Sequence, residues 1–481
     1  MKRLSILLLL FVSCNKLDEN PDSIITVSQF YKTQSDAVSA VSAVYSALNT
    51  DAAGDFPMYG RNLNLLTGNG SDDQIFSPSN TNTDVRALGT TTYVPANDRI
   101  KKNWQQHYFG ISRANIAIDN IPNIDFDTTL RARLVREAKF IRALLYFNIV
   151  RFWGDAPLIL HDPTSIDVNV QKVKRASKDS LYAQIIADLT DATLLPSVYT
   201  GANIGRATSG AAHALLAKVY VTRRKWSSAL TEINTVINGG YGYDLFSNYL
   251  DAFQQATKNG KEHIFSVQFG TNLGAKNSTQ NLSSGNFASF NTAVYPGDQP
   301  SDSTLYQLFA ENDTRRAVTF FTSLYNAATG KYVTFTPARL AKFIDYSITP
   351  LTNQAQSGIN FPVIRYADIL LLQAEVLNEI SGPTADAYAA INRVRNRANI
   401  GDLTAGLNQS DFREAVFLER RKEFIQEGMR WFDLARRGGT YLYDALKKYP
   451  EKTGAAVKDT LFPIPQSERD INSELTQNAG W

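Results

Sequence analysis

YADILLLQAEVLNEI (Tyr366–Ile380), a Gly382–Pro383 break and then ADAYAAINRVRNRA (Ala385–Ala398) spell a helix, a stop and a second helix. Glycine and proline together end the first helix and leave room for a short turn. The segment around Trp226, ATSGAAHALLAKVYVTRRKWSSALTEINTVINGG (Ala207–Gly240), repeats this design, and its small residues Ala211, Ala212 and Ala217 allow close helix approach. Both units are similar to tetratricopeptide helix pairs, although the chain has no clean 34-residue period. The fold expected is mainly α, a scaffold of paired antiparallel helices.

Working outward, helical spacing begins near Ser35, where Ala37, Val38, Val41, Val44, Tyr45 and Leu48 recur at three and four. It returns over Arg99–Ile121, closed by Pro122. From Arg131 onward, Leu134, Ala138, Ile141, Leu145, Ile149 and Phe152 share one face, with Arg131, Arg136, Lys139 and Arg142 elsewhere. SKDSLYAQIIADLTDATLLP (Ser177–Pro196) continues the series. Two long zones interrupt it. Residues 51–98, rich in Ser, Asn, Gly and Thr, read as loops, and connections of that length usually have a task. Residues 241–361 are mixed, with HIFSVQF (His263–Phe269) alternating like a strand. The expected division is a signal peptide at 1–13, a lipidated N-terminus and tether at 14–34, and a single domain at 35–481. In that domain the scaffold takes about 35–50, 99–240 and 362–481, and the loop-rich, ligand-binding parts take about 51–98 and 241–361.

The N-terminus carries a cell address. Lys2 and Arg3 precede an apolar run, Leu4–Val12, that is too short to cross a bilayer, which needs roughly 20 residues. The chain's single cysteine, Cys14, follows directly in Val12-Ser13-Cys14. A lone cysteine cannot form an internal disulfide. This junction resembles a bacterial lipobox, with Phe11 where leucine is more usual, and implies lipidation of Cys14. Two or more acyl chains give the stable anchoring that one cannot.

Composition narrows the function. A formal net charge of +3 over 481 residues gives no sign of nucleic-acid binding. Four histidines without ligand spacing leave zinc unsupported, and no metal or cofactor is expected. No GxSxG elbow or phosphate loop is present. The abundant Tyr and Phe, 22 and 26, suit both cores and stacking on sugar rings.

Four blocks, in order, carry a family likeness: EAKFIRALLYFNIVRFWGDAPLI (Glu137–Ile159), RYADILLLQAEVLNEI (Arg365–Ile380) with AINRVRNRA (Ala390–Ala398), ERRKEFIQEGMRWFDLARRG (Glu419–Gly438) and LFPIPQSERDINSELTQNAGW (Leu461–Trp481). Together with SCNKLDENP (Ser13–Pro21), they resemble the SusD/RagB family of outer-membrane lipoproteins from Bacteroidetes, from Cys14 to Trp481. The resemblance implies tetratricopeptide-like helix pairs supporting a looped ligand-binding half. It also implies a lipid-anchored place on the outer membrane, facing the cell exterior, beside a SusC-like TonB-dependent transporter. There the protein would capture an oligosaccharide or polysaccharide and pass it inward. Asp18 and Glu19 are compatible with the acidic surface-export signal of such lipoproteins. Some members take peptides instead, and the absence of tryptophan from both loop zones keeps that alternative open.

Candidate residues come from the loop zones. Asp72 and Asp73 in GSDDQIF could bond sugar hydroxyls, ligate calcium or simply form a turn. Their company includes Tyr59, Arg61, Phe76, Arg86, Tyr93 and Asn97. A sugar site needs an aromatic platform and planar polar groups that reach hydroxyls. Tyr93, and Tyr295 with Asp298 in NTAVYPGDQPSD, are the expected platforms and partner. The proposed ligand set is therefore Asp72, Asp73, Arg86, Tyr93, Asn97, Tyr295 and Asp298. Trp104, Trp153, Trp226 and Trp431 lie in helical blocks and are expected in the core. A glycoside hydrolase would need two opposed carboxyls roughly 5 to 9.5 Å apart. Glu419, Glu423 and Glu427 lie instead on one helix face among Arg420, Arg421, Lys422, Arg430, Arg436 and Arg437, where ion pairing is expected. Enzymatic activity is not expected.

Overall fold

The computed structural model describes residues 27–50, 56–76, 81–162, 167, 172–270, 298–300, 303–326, 331–347 and 357–481. Among the described residues, nine longer helices form the scaffold: α1 (Gln34–Ser46), α2 (Asp98–Asn120), α3 (Thr128–Trp153), α4 (Lys178–Ala192), α5 (Ser209–Thr222), α6 (Trp226–Asn238), α7 (Tyr366–Ser381), α8 (Ala385–Arg397) and α9 (Gln409–Glu423). Each of α2 to α7 packs on the next, α8 and α9 both pack on α7, and α1 lies across α2 and α3. This is the mainly helical, tetratricopeptide-like pairing expected from the sequence.

Local chemistry sets the helix ends. Thr33 and Asp36 form a capping box at the start of α1. Asp127 accepts the Leu130 amide at 2.7 Å to open α3. Gly154, at φ +71°, closes it in a conformation few other residues adopt. The predicted apolar face of α3 is buried from Leu134 to Phe152. Burial of its larger members contributes about 1.5–3 kcal/mol each. Trp104, Trp153 and Trp431 are buried, and Trp226 packs against the same core.

Two expectations need correction. Arg142 does not face away from the core: it is buried and doubly bonded to Asp188 of α4 at 2.8 and 2.9 Å. The described part of 51–98 is not irregular loop either. It holds a π-helical turn (Met58–Asn62), helices Leu63–Thr67 and Thr83–Thr90, and a strand, Gln74–Phe76. Buried amides order this zone: Asn62 donates to Phe56 O at 2.8 Å, and Asn64 donates to Gln426 O at 3.1 Å. Hydrogen bonding here overrides the poor helix propensity of Asn and Gly.

The strands of the described residues form four two-stranded antiparallel pieces. His263–Val267, the strand read from HIFSVQF, pairs with Phe361–Arg365. A hairpin of Phe320–Asn326 and Lys331–Leu340 rests on a smaller core that includes Leu305, Phe309, Leu340 and Ile425.

Candidate ligand-binding surface

The expected sugar-binding carboxylates are part of the protein's frame. Asp72 and Asp73 are buried. Arg430 grips Asp72 at 2.7 and 2.8 Å, and Arg421 bonds Asp73 at 2.8 Å and the Asp72 carbonyl at 2.8 Å. Burial opposes the charge of Asp72, yet Arg430 and Arg421 outweigh it and hold its carboxyl well below the usual carboxylate range. Beside them Lys452 is buried, donating to the carbonyls of Asn69 at 2.5 Å and Gln74 at 3.1 Å. Desolvation brings its pKa down to about 7. GSDDQIF thus bolts the N-terminal third of the chain to the C-terminal block, and its acids are occupied.

Tyr93 is also internal. Its ring is 2% exposed, stacked on Trp481 with centroids 5.2 Å apart and tilted against Phe462. Its hydroxyl donates to Asp459 at 3.2 Å. A platform needs an open ring face, so the expectation for Tyr93 fails. Asn97 is a helix cap: its Oδ1 accepts the amides of Arg99 at 3.0 Å and Ile100 at 3.3 Å, while its Nδ2 donates to Asp84 O. Asn97→Ala should cost about 0.5–2 kcal/mol of stability, read from the midpoint of urea unfolding, and leave ligand affinity unchanged. Arg86 is half-buried on Thr83–Thr90 and stays a candidate. Tyr295 and Cys14 lie outside the described residues.

The Glu row of the C-terminal block is saturated. Both oxygens of Glu423 are taken, Oε1 by Arg365 at 2.8 Å and Arg397 at 2.5 Å, Oε2 by Arg315 at 3.1 Å. Glu427 receives Arg365 at 2.7 and 2.8 Å and Lys342 at 2.9 Å. Glu419 faces Arg315 at 2.6 Å and Arg395 at 3.1 Å. Ion pairing was expected, but most of these cations come from distant segments rather than from the interspersed arginines. Among the neighbours, Arg420 turns to Asp368 and Asp433. Paired with cations inside the protein, these carboxylates are not presented as two opposed groups across a cleft, the arrangement that glycoside hydrolysis requires.

What the structure does bring together is the two loop zones. Gln74–Phe76 pairs antiparallel with Asp298–Pro300, with Phe76 opposite Asp298. The same insertion carries two exposed aromatics that sequence reasoning missed, Tyr332 at 73% and Tyr346 at 49%. Tyr332 stands on the hairpin, opposite Tyr325 in its register. Tyr346 sits on a braced turn, where buried Asp345 accepts Ser347 N at 3.1 Å, Ser357 Oγ at 3.0 Å and Gln255 Nε2 at 2.6 Å. The alternation in KYVTFTPARL, with Tyr beside Lys331, was the available signal for Tyr332. Tyr346 carried none, because its exposure depends on the Asp345 bonds.

Comparison with known proteins agrees with this layout. The profile described as the SusD family matches residues 223–481, and one described as "Starch-binding associating with outer membrane" matches 17–221. The chain belongs to the SusD family. Among SusD-like relatives, protein P2 of Formosa agariphila is 29% identical, over 98% of this chain and 97% of its own. A SusD homolog from Bacteroides thetaiotaomicron superposes with a TM-score of 0.82 at 26% identity, covering 95% of this chain and 98% of that one. A laminarin-binding SusD-like protein gives 0.77 at 27% identity, covering 94% and 100%. In this SusD-family chain, the Glu419–Gly438 and Leu461–Trp481 blocks build the ion-paired interior and the packing under Tyr93. The exposed tyrosines lie between the blocks.

Proposed function

We propose that this SusD-family protein is a glycan-binding lipoprotein of the outer-membrane surface, tethered through Cys14. In this reading it captures an oligosaccharide and delivers it to a partner TonB-dependent transporter. The carrying observation is that a family member similar over nearly its whole length binds laminarin, while this chain presents Tyr332 and Tyr346 outward on a braced insertion. A flat, exposed ring offers its face to the apolar side of a sugar at little entropic cost. Among the described residues no helix is long and apolar enough to cross a membrane, which is compatible with attachment by lipid. Binding without hydrolysis fits a row of glutamates locked in ion pairs. Arg86, Tyr295 and Asp298 remain ligand candidates beside the two tyrosines.

The test is a binding screen of the soluble chain begun after Cys14. Laminarin oligosaccharides come first, followed by other plant, host and microbial glycans and by peptides. Binding of one glycan class is expected. Tyr332→Ala or Tyr346→Ala should weaken it by about tenfold, the loss of roughly one stacking contact, with no fall in melting temperature. Retention of peptides and silence toward sugars would overturn the glycan reading in favour of peptide capture. Unchanged affinity in both tyrosine variants would reject this surface.

A further inference from the structure

Three acids and three bases close a buried network beneath α7. Lys218 and Arg420 bond Asp368, Arg420 and Arg436 bond Asp433, and Arg436 also bonds Glu375. The charges in this set cancel. Arg151 of α3 stands next to it and is not part of the balance. It donates to Phe147 O at 2.9 Å and to Asn148 Oδ1 at 2.7 Å. Its guanidinium is pressed between the rings of Phe147 and Phe432, 3.7 and 3.6 Å from their centroids. The acids that bear on it electrostatically, Asp433 and Asp368, are each bonded to two other cations. Desolvation lowers its pKa to about 10, so it stays charged at neutral pH. Arg151 is partly buried, and a partly desolvated guanidinium without a counter-charge of its own is stabilised if an anion comes to it.

Arg151 faces a cleft of about 340 Å³ bounded by α3, α4 and the 430–439 segment. Lys178, exposed at the first turn of α4, and Arg436 line it as well, and no carboxylate does. The buried Tyr182 ring and Phe432 supply apolar walls. The cleft is separate from the tyrosine-bearing insertion, since none of its lining residues lies between 241 and 361. We propose that this cleft is an anion site in which Arg151 and the exposed Lys178 ammonium take the carboxylate or sulfate group of a small ligand. A planar guanidinium and a point-like ammonium together suit an oxyanion.

Titration calorimetry on the soluble chain at fixed ionic strength tests this, with glucuronate, inorganic sulfate, chloride and neutral glucose as probes. Glucuronate or sulfate should bind, and glucose and chloride should not. Lys178→Gln and Arg151→Gln should each weaken binding by about tenfold or more, the loss of one charge-assisted contact. Lys178 is exposed, so its variant keeps the test valid if Arg151→Gln fails to fold. Tighter binding of glucuronate than of sulfate would assign the site to an acidic sugar, and equal or weaker binding to a free oxyanion. No binding of either anion, or binding that persists unchanged in the Lys178 variant, overturns the proposal.

Discussion

Arg365→Met is expected to lower the unfolding free energy of the soluble chain by about 3–5 kcal/mol, the usual result of removing one partner from a buried ionic cluster. Arg365 is fully buried and bonds Glu262 at 2.5 Å, Glu423 at 2.8 Å and Glu427 at 2.7 Å. Its loss leaves Glu262, Glu423 and Glu427 to Arg397, Lys342 and Arg315, the last of which is shared with Asp313 and Glu419. The pH dependence supplies a second readout. Burial opposes the charge of Glu423, but Arg397, Arg365 and Arg315 outweigh it and hold its carboxyl well below the usual range. A carboxyl depressed in the folded state contributes stability that is present above its unfolded pKa, about 4.3 for Glu. That contribution is lost as pH falls toward the folded value. With Arg365 removed, the folded pKa of Glu423 moves up, so acid unfolding should begin at a higher pH than in the unmodified chain. An unchanged denaturation midpoint together with an unchanged acid transition would show that the cluster is not coupled to folding.

Tyr93→Ala should cost about 3–5 kcal/mol, the range for deleting a large buried aromatic. The variant empties the space between Trp481 and Phe462 and leaves Asp459 Oδ1 without the Tyr93 bond, its Oδ2 still accepting the Ala456 amide. Tyr93→Phe keeps the packing and forfeits only the hydroxyl bond, about 1 kcal/mol. Thermal unfolding of the two variants separates ring from hydroxyl, and glycan affinity of the folded fraction should not change in either. A Tyr93→Ala protein that melts normally but has lost ligand would return this residue to the surface role its sequence context suggests.

That contrast shows where the sequence was legible. Apolar period and punctuation gave the helix pairs, and the order of four blocks gave the family, because both are local patterns that survive without coordinates. The α3 stripe from Leu134 to Phe152 is buried as its spacing requires. The site residues were harder to read, because the decisive partners lie far along the chain. Asp72 and Asp73 look like loop carboxylates until Arg430 and Arg421 arrive from more than 340 positions away. Arg142 looks like a solvated base until Asp188 faces it. The Asn- and Gly-rich stretch before residue 98 hid its helices because buried amide bonds, rather than apolar spacing, hold them. Polarity in a segment signals exposure only when its hydrogen bonds go to water.

The seam between the two ends of the chain has a kinetic side. Asn64 meets Gln426, Lys452 meets Asn69, Asp72 meets Arg430, and Tyr93 meets Asp459, at separations from 358 to 383 positions. Helix pairs such as α5–α6 and α7–α8 close short loops and can form early, whereas this seam must join segments across most of the polypeptide. The N-terminal helices therefore wait, with apolar faces uncovered, until the last block has been made and brought to them. A chain halted before residue 460 would carry finished helix pairs and an open flank, the kind of surface that chaperones hold and proteases find.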